Sequence, residues 1–194
     1  PQGPGGKKAF SFQGNTRLEL ITTGHNAAFR ILDDLCVVAF VRATTSGAGY
    51  IVTCSSPNTG AEADNAPWIL LREGAGISAG RGGLGVRYQY GGAASYSLIY
   101  ASKATLSRHA WEMVAVSRAA PSGTSTEVVI SGKRGLTAAS VNANLPTGGG
   151  NAILTVGAHA DGTLPFSGAV ADLMIFDAAP TFAKIQAEAR RVGV

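Results

Sequence analysis

This chain is never allowed to run far before it is broken. Glycine occupies 26 of its 194 positions and proline another 8. Both punctuate the sequence between short apolar stretches, and glycine inside a helix costs about 1 kcal/mol relative to alanine. Long helices are therefore disfavoured. The apolar stretches are β-branched and short, as strands are. Charged residues make up only 14% of the chain, against a usual share of about 25%. Hydrophobic residues make up 45%. That mixture excludes a coiled coil, an acidic disordered chain and a disulfide-dense miniprotein, and it disfavours a helical bundle.

Strand signals begin at Ala9. Phe10 and Phe12 alternate in AFSFQG, and Leu18 and Leu20 alternate in RLELIT. The run LCVVAFVRAT at 35–44 is nearly continuous, as in a strand covered on both faces. GYIVTCSS at 49–56 follows across the turn TTSGAG. Further strands are expected over 68–73, 83–90, 95–102, 111–118, 126–132, 151–159 and 168–177, and a helix over 181–192. About ten to twelve short strands with Gly turns and one terminal helix describe an all-β, two-sheet antiparallel jelly-roll sandwich. Residues 1–8, PQGPGGKK, hold nothing apolar and read as an extended N-terminal arm, with 9–194 as a single domain.

Several segments in order resemble the laminin-G-like branch of the concanavalin A-like lectin/glucanase family. FSFQGNTRLEL at 10–20 is similar to that family's first strand. LCVVAFVRATT at 35–45 resembles a strand in which Phe40 stands where the family usually has Trp. WEMVAVSR at 111–118, followed by EVVISGKR at 127–134, is similar to its Trp-His-His-Val-Ala-Val-Thr-Arg strand and the partner after it. ILTVGAHADGTLPFSGAVADLMIFDAAPTFAKIQA at 153–187 resembles its closing strands and helix. Trp111 is expected as a buried core anchor.

The chemistry legible in the residues is sparse. Glycosidases of this fold carry paired carboxylates on a strand, held about 5 Å apart for acid and nucleophile work. The only Glu-x-Asp here is Glu62-Ala63-Asp64, in the polar loop 57–67. The enzyme reading loses its best support there. His25, His109 and His159 fall in no metal-binding spacing, and Cys36 and Cys54 do not form a Cys-x-x-Cys pair. The two cysteines lie in apolar runs and are expected to be reduced and buried.

Three sets of candidate contacts remain. The rim loops offer Asn58, Glu62, Asp64, Asn65 and Asp161. Many laminin-G-like domains bind Ca²⁺ at such a rim, but these residues do not make a full ligand set, and no cofactor is expected. Tyr88, Tyr90, Tyr96 and Tyr100 fall at matching parity on one hairpin with Leu84, Val86 and Leu98, leaving Arg87 and Gln89 outward. That face is either core or an aromatic platform for a sugar or a partner. Lys7 and Lys8 give the arm a charged base for a partner surface.

The net charge of +4 comes from scattered Lys and Arg, without the clustered stripe that nucleic acid requires. No apolar run reaches the roughly 18 residues that a spanning helix needs, and no apolar segment follows a basic start. No nucleic-acid or membrane partner is expected. Laminin-G-like modules usually sit inside secreted multidomain chains with disulfides. A lone sandwich with an arm and no leader resembles virion components of tailed bacteriophages, made in the host cytoplasm. The expected function is thus a non-catalytic virion structural protein, in capsid decoration or at a tail or fibre position. It would act on other copies of itself or on a capsid or tail surface. The alternative is an extracellular carbohydrate-binding, lectin-like module.

Overall fold

The computed structural model describes residues 2–14, 16–20, 27–29, 31, 34–45, 47–55, 68–72, 83–89, 96–119, 125–130, 133–135, 152–178, 180, 183–185, 187 and 191. Twelve strands are found among them: β1 (Phe10–Phe12), β2 (Leu18–Glu19), β3 (Leu35–Ala43), β4 (Gly49–Ser55), β5 (Trp68–Arg72), β6 (Gly83–Gln89), β7 (Tyr96–Thr105), β8 (Glu112–Ala119), β9 (Ser125–Ile130), β10 (Lys133–Gly135), β11 (Ile153–Val156) and β12 (Gly168–Phe176). They form two six-stranded sheets. The first has the order β1-β12-β3-β8-β9-β10 and the second β2-β11-β4-β5-β6-β7. Every pairing is antiparallel. The chain is a two-sheet sandwich, with residues 183–185, 187 and 191 helical near its end.

Strand alternation builds the core. Leu35, Val37, Ala39, Val41 and Ala43 of β3 point the same way and meet Val52 and Cys54 of β4 between the sheets. Val114, Val116, Leu84, Phe166 and Phe12 complete that layer. The other parity of β3 is apolar too. Cys36, Val38 and Phe40 pack with Met113, Ala115, Ala171 and Ile185 into a second cluster on the outside of the first sheet. This is why 35–44 reads as a continuous apolar run, and Ile185 of the terminal helix covers it. Cys36 and Cys54 are free thiols, and both are buried. Burial pushes the Cys36 thiol up to about 12.

Trp111 differs from the expected core anchor. It is half-buried at the border of the second cluster, and the Arg42 guanidinium lies 5.3 Å from its ring centroid. Phe40 and Met113, both fully buried, hold the interior instead. Trp111 precedes β8 rather than sitting within it, so strand pairing does not carry it inward.

The arm differs as well. Residues 2–8 close on themselves through a Gln2–Lys8 bridge around a 3₁₀ turn at Pro4–Gly6. The closed segment docks on a bulge of β12, where the register slips between Ala171 and Met174. Asp172 in that bulge has φ +47, and its carboxylate accepts from Lys7 Nζ at 2.6 Å. Gly3 is buried there, and a Cβ on it would come within 2.9 Å of Ala171 Cβ. A segment without an apolar side chain thus gains a place from one missing Cβ and one ion pair. Lys8 is exposed.

Candidate functional site

The second sheet has a different outer face. Val52, Cys54, Leu154 and Val156 turn toward the inter-sheet core, so Thr53, Ser55 and Thr155 turn away from it. All three hydroxyl residues are nevertheless fully buried. The segment after β11 covers them. It turns at Gly157, which has φ +90, and runs back across β11 and β4. Thr155 Oγ1 donates to the Ala158 carbonyl at 2.8 Å, and the Ala160 N–H donates to Ser55 Oγ at 3.4 Å.

Each hydroxyl has one proton, which fixes the direction of the remaining bonds. Thr155 spends its proton on Ala158, so Thr53 Oγ1 donates to Thr155 Oγ1 at 2.8 Å. Ser55 Oγ then donates to Thr53 Oγ1 at 3.0 Å. The relay Ser55→Thr53→Thr155→Ala158 leaves no buried hydroxyl proton unused.

His159 and Asp161 sit at the top of this cover. Asp161 Oδ1 accepts from the Thr163 N–H at 2.8 Å and the Thr163 hydroxyl at 2.7 Å. His159 Nδ1 lies 2.9 Å from the same oxygen. A carboxylate oxygen only accepts, so Nδ1 is the donor in this contact, and the Asp161 N–H lies 3.4 Å from the same nitrogen. Nε2 has no hydrogen-bond partner although the residue is 1% exposed. The ring tilts against Tyr50, with centroids 5.4 Å apart. Burial alone would raise the Asp161 carboxyl. The Thr163 side-chain and backbone bonds, then the bond to His159 and its charge, outweigh that and hold it below the ordinary range. Backbone bonds from His159 N to Thr163 O, Gly162 N to His159 O and Phe166 N to Gly157 O close the loop on itself, and Gly157 N to Ile51 O ties it to β4.

Of the rim-loop residues, Asn58, Glu62, Asp64 and Asn65 lie outside the described residues. Asp161 is described, and its Oδ1 is taken by three protein donors. Among the described residues, no group of three or more His, Cys, Asp or Glu is gathered that could hold a metal ion.

The tyrosine set is regrouped by the register. Tyr88 pairs with Ser97, Arg87 with Leu98, Gln89 with Tyr96 and Gly85 with Tyr100. Directly opposed residues share a face. Tyr88 therefore goes with Val86 and the buried core residue Leu84. Tyr96, Leu98 and Tyr100 fall at the opposite parity, with Arg87 and Gln89. The segment between Gln89 and Tyr96 is even in length, so even-numbered residues of one strand oppose odd-numbered residues of the other. Tyr90 lies outside the described residues. The same cross-strand row continues from Arg87 through Ile69 and Thr53 to Thr155 and Glu19.

Sequence reading also passes over Gly76-Ile77-Ser78-Ala79-Gly80, which has the form Gly-x-Ser-x-Gly. A nucleophile elbow needs that motif between a strand and a helix. Here it lies outside the described residues, between β5 and β6, which are antiparallel neighbours.

Two six-stranded antiparallel sheets, in which β1 pairs with β12 and β2 with β11, make a jelly-roll sandwich. The family model described as the concanavalin A-like lectin/glucanases superfamily matches residues 14–186, and the chain belongs to that family. Solved structures agree. The CBM40 of the Ruminococcus gnavus IT-sialidase is similar with a TM-score of 0.73 at 14% identity, over 94% of this chain and 98% of that one. The same module bound to α2,3-sialyllactose is similar with a TM-score of 0.72 at 13% identity, over 94% and 97%. A native heptameric SAP-like pentraxin from Limulus polyphemus is similar with a TM-score of 0.64 at 18% identity, over 93% and 81%. No curated protein matches the chain in sequence.

Proposed function

We propose that this chain is a non-catalytic glycan-binding module that takes its ligand on the outer face of β5, β6 and β7. The observation carrying this reading is the register that groups Arg87, Gln89, Tyr96 and Tyr100 at one parity, opposite to Leu84. Aromatic rings stack on the apolar face of a sugar, while guanidinium and amide groups donate to its hydroxyls. Gly85 stands opposite Tyr100 and adds no side chain of its own to that row. The likeness to a carbohydrate-binding module along its whole length supports the same reading. The structures named above lend no support to a capsid, tail or fibre placement.

A glycan array that includes α2,3- and α2,6-sialyllactose tests the proposal. Wild-type protein should retain at least one glycan class. Tyr100→Ala and Arg87→Ala should each weaken that binding about tenfold or more, a loss of roughly 1.4 kcal/mol, with an unchanged β-type circular dichroism spectrum. Retention of no glycan by wild type would end this reading.

A further inference from the structure

The loop that covers β4 and β11 carries the only Asp-Gly pair in the chain, Asp161-Gly162, and the chain has no Asn-Gly. The turn demands both residues. Gly162 sits at φ +87, and a Cβ there would stand 2.8 Å from Arg17 Nη1. Asp161 supplies the oxygen that gathers the Thr163 N–H, the Thr163 hydroxyl and His159 Nδ1. The same pair is chemically labile. The backbone nitrogen of a residue without a side chain can approach the preceding aspartyl Cγ unhindered. When the carboxyl is protonated, that nitrogen bonds to Cγ, and the amide proton leaves with the carboxyl hydroxyl as water. The product is a cyclic succinimide. Water then adds back at Cγ to restore aspartate, or at the Asp161 main-chain carbonyl to give isoaspartate. Nothing is oxidised or reduced, and water is the only co-reactant.

The folded loop withholds each requirement of that reaction. The Gly162 N–H is given to the His159 carbonyl at 2.8 Å, so the nitrogen keeps its proton and its place. Asp161 Oδ1 is fixed by its three protein donors. Burial pushes the carboxyl up, but the bonds from Thr163 and His159 outweigh it and keep the group ionised, without a hydroxyl to lose. We propose that Asp161-Gly162 is a latent isomerisation site that the closed loop keeps inert, so that isoaspartate forms in chains whose loop has opened and then holds the loop open. In isoaspartate the main chain runs through Cγ and gains a methylene, and the freed carboxylate hangs from Cα. The Asp161 side-chain oxygen becomes a backbone oxygen. Thr163 and His159 then lose their acceptor where the turn had placed it, and the cover over Thr53, Ser55 and Thr155 loses its closure.

The test is to incubate the wild-type chain warm at neutral pH, both native and unfolded in urea, and to locate isoaspartate at 161 by fragmentation mass spectrometry of proteolytic peptides. The unfolded chain should accumulate it at least about tenfold faster than the native chain, whose loop is open for only part of the time. Thr163→Val removes one donor to Oδ1. It should isomerise faster than wild type under native conditions and at the wild-type rate in urea. Chains that carry isoaspartate, returned to native conditions, should exchange amide protons faster in 157–163 than wild type does. Equal rates in native and unfolded wild type would overturn the protection by the loop, and no isoaspartate at 161 in the unfolded chain would overturn the site itself. A folded Thr163→Val that isomerises no faster than native wild type would overturn the part given to the carboxylate bonds. Unaltered exchange in isoaspartate chains would overturn the claim that the change holds the loop open. Should Thr163→Val not fold, the comparison of native with unfolded wild type decides alone.

Discussion

The two sheets face the same difficulty with opposite chemistry. Each has one face in the shared core and one left over. The left-over face of the first sheet is apolar, built from Cys36, Val38, Phe40, Met113 and Ala115. Its cover comes from the distant ends of the chain, by way of Ile185 and the segment at Gly3. That of the second sheet carries hydroxyls at Thr53, Ser55 and Thr155, and its cover is the loop that follows β11 directly. Apolar burial stabilises by area and has no direction, so it tolerates an imperfect lid. A groove of about 270 Å³ between Val38, Met174, Phe176 and Pro180 shows that tolerance. A hydroxyl relay works only in one arrangement, so it sets the position of its cover atom by atom.

That contrast can be broken first on the apolar side. Phe40→Ala should destabilise by about 3–5 kcal/mol, because a fully buried ring leaves a cavity. Chemical denaturation reads this, and a loss under about 1 kcal/mol would mean that the second cluster contributes little.

On the polar side, Thr155→Val keeps the shape but strands the Ala158 carbonyl and the Thr53 proton. The expected cost is about 1–3 kcal/mol. It should be accompanied by faster amide exchange in 157–163 and not elsewhere. Should Thr155→Val cost more than Phe40→Ala, the ranking of the two covers would be reversed.

The smallest effect is expected from pH. The Asp161 carboxyl is held below its unfolded value, so its contribution is fully present above the ordinary carboxylate range. It is lost as pH falls through the lowered folded value. Thermal melts of wild type and Asp161→Asn, followed downward from neutral pH, should converge in acid, and curves that stay parallel would exclude Asp161 as the linked group.

Much of this architecture was open to a reader of the sequence. The strands at 35–43 and 49–55 announce themselves by runs rich in β-branched residues, and those at 83–89 and 168–176 by apolar residues that follow a glycine. The second cluster is implied by a run apolar at both parities. The site was harder to see. The even-length segment between Gln89 and Tyr96 decides which tyrosines share a face, and composition does not carry that count. The fold-back of 157–160 depends on hydroxyls at Thr53 and Ser55, about a hundred residues earlier in the chain, as the Thr53–Thr155 separation of 102 shows. Its trace was Thr53 and Ser55 at alternate positions in β4, among the apolar residues Ile51, Val52 and Cys54. Strand β10 is too short to leave a pattern.

The pairing of β1 with β12 and of β2 with β11 has a consequence in time. As the chain leaves the ribosome, its first two strands have no partners until β11 and β12 have been made. Lys7 must wait for Asp172, 165 residues behind it. Closure over such distances is slow, and unpaired strand edges invite other chains meanwhile. Of the two opening strands, β1 is only three residues long and β2 only two. Strands that short offer a poor template to a stranger during the wait.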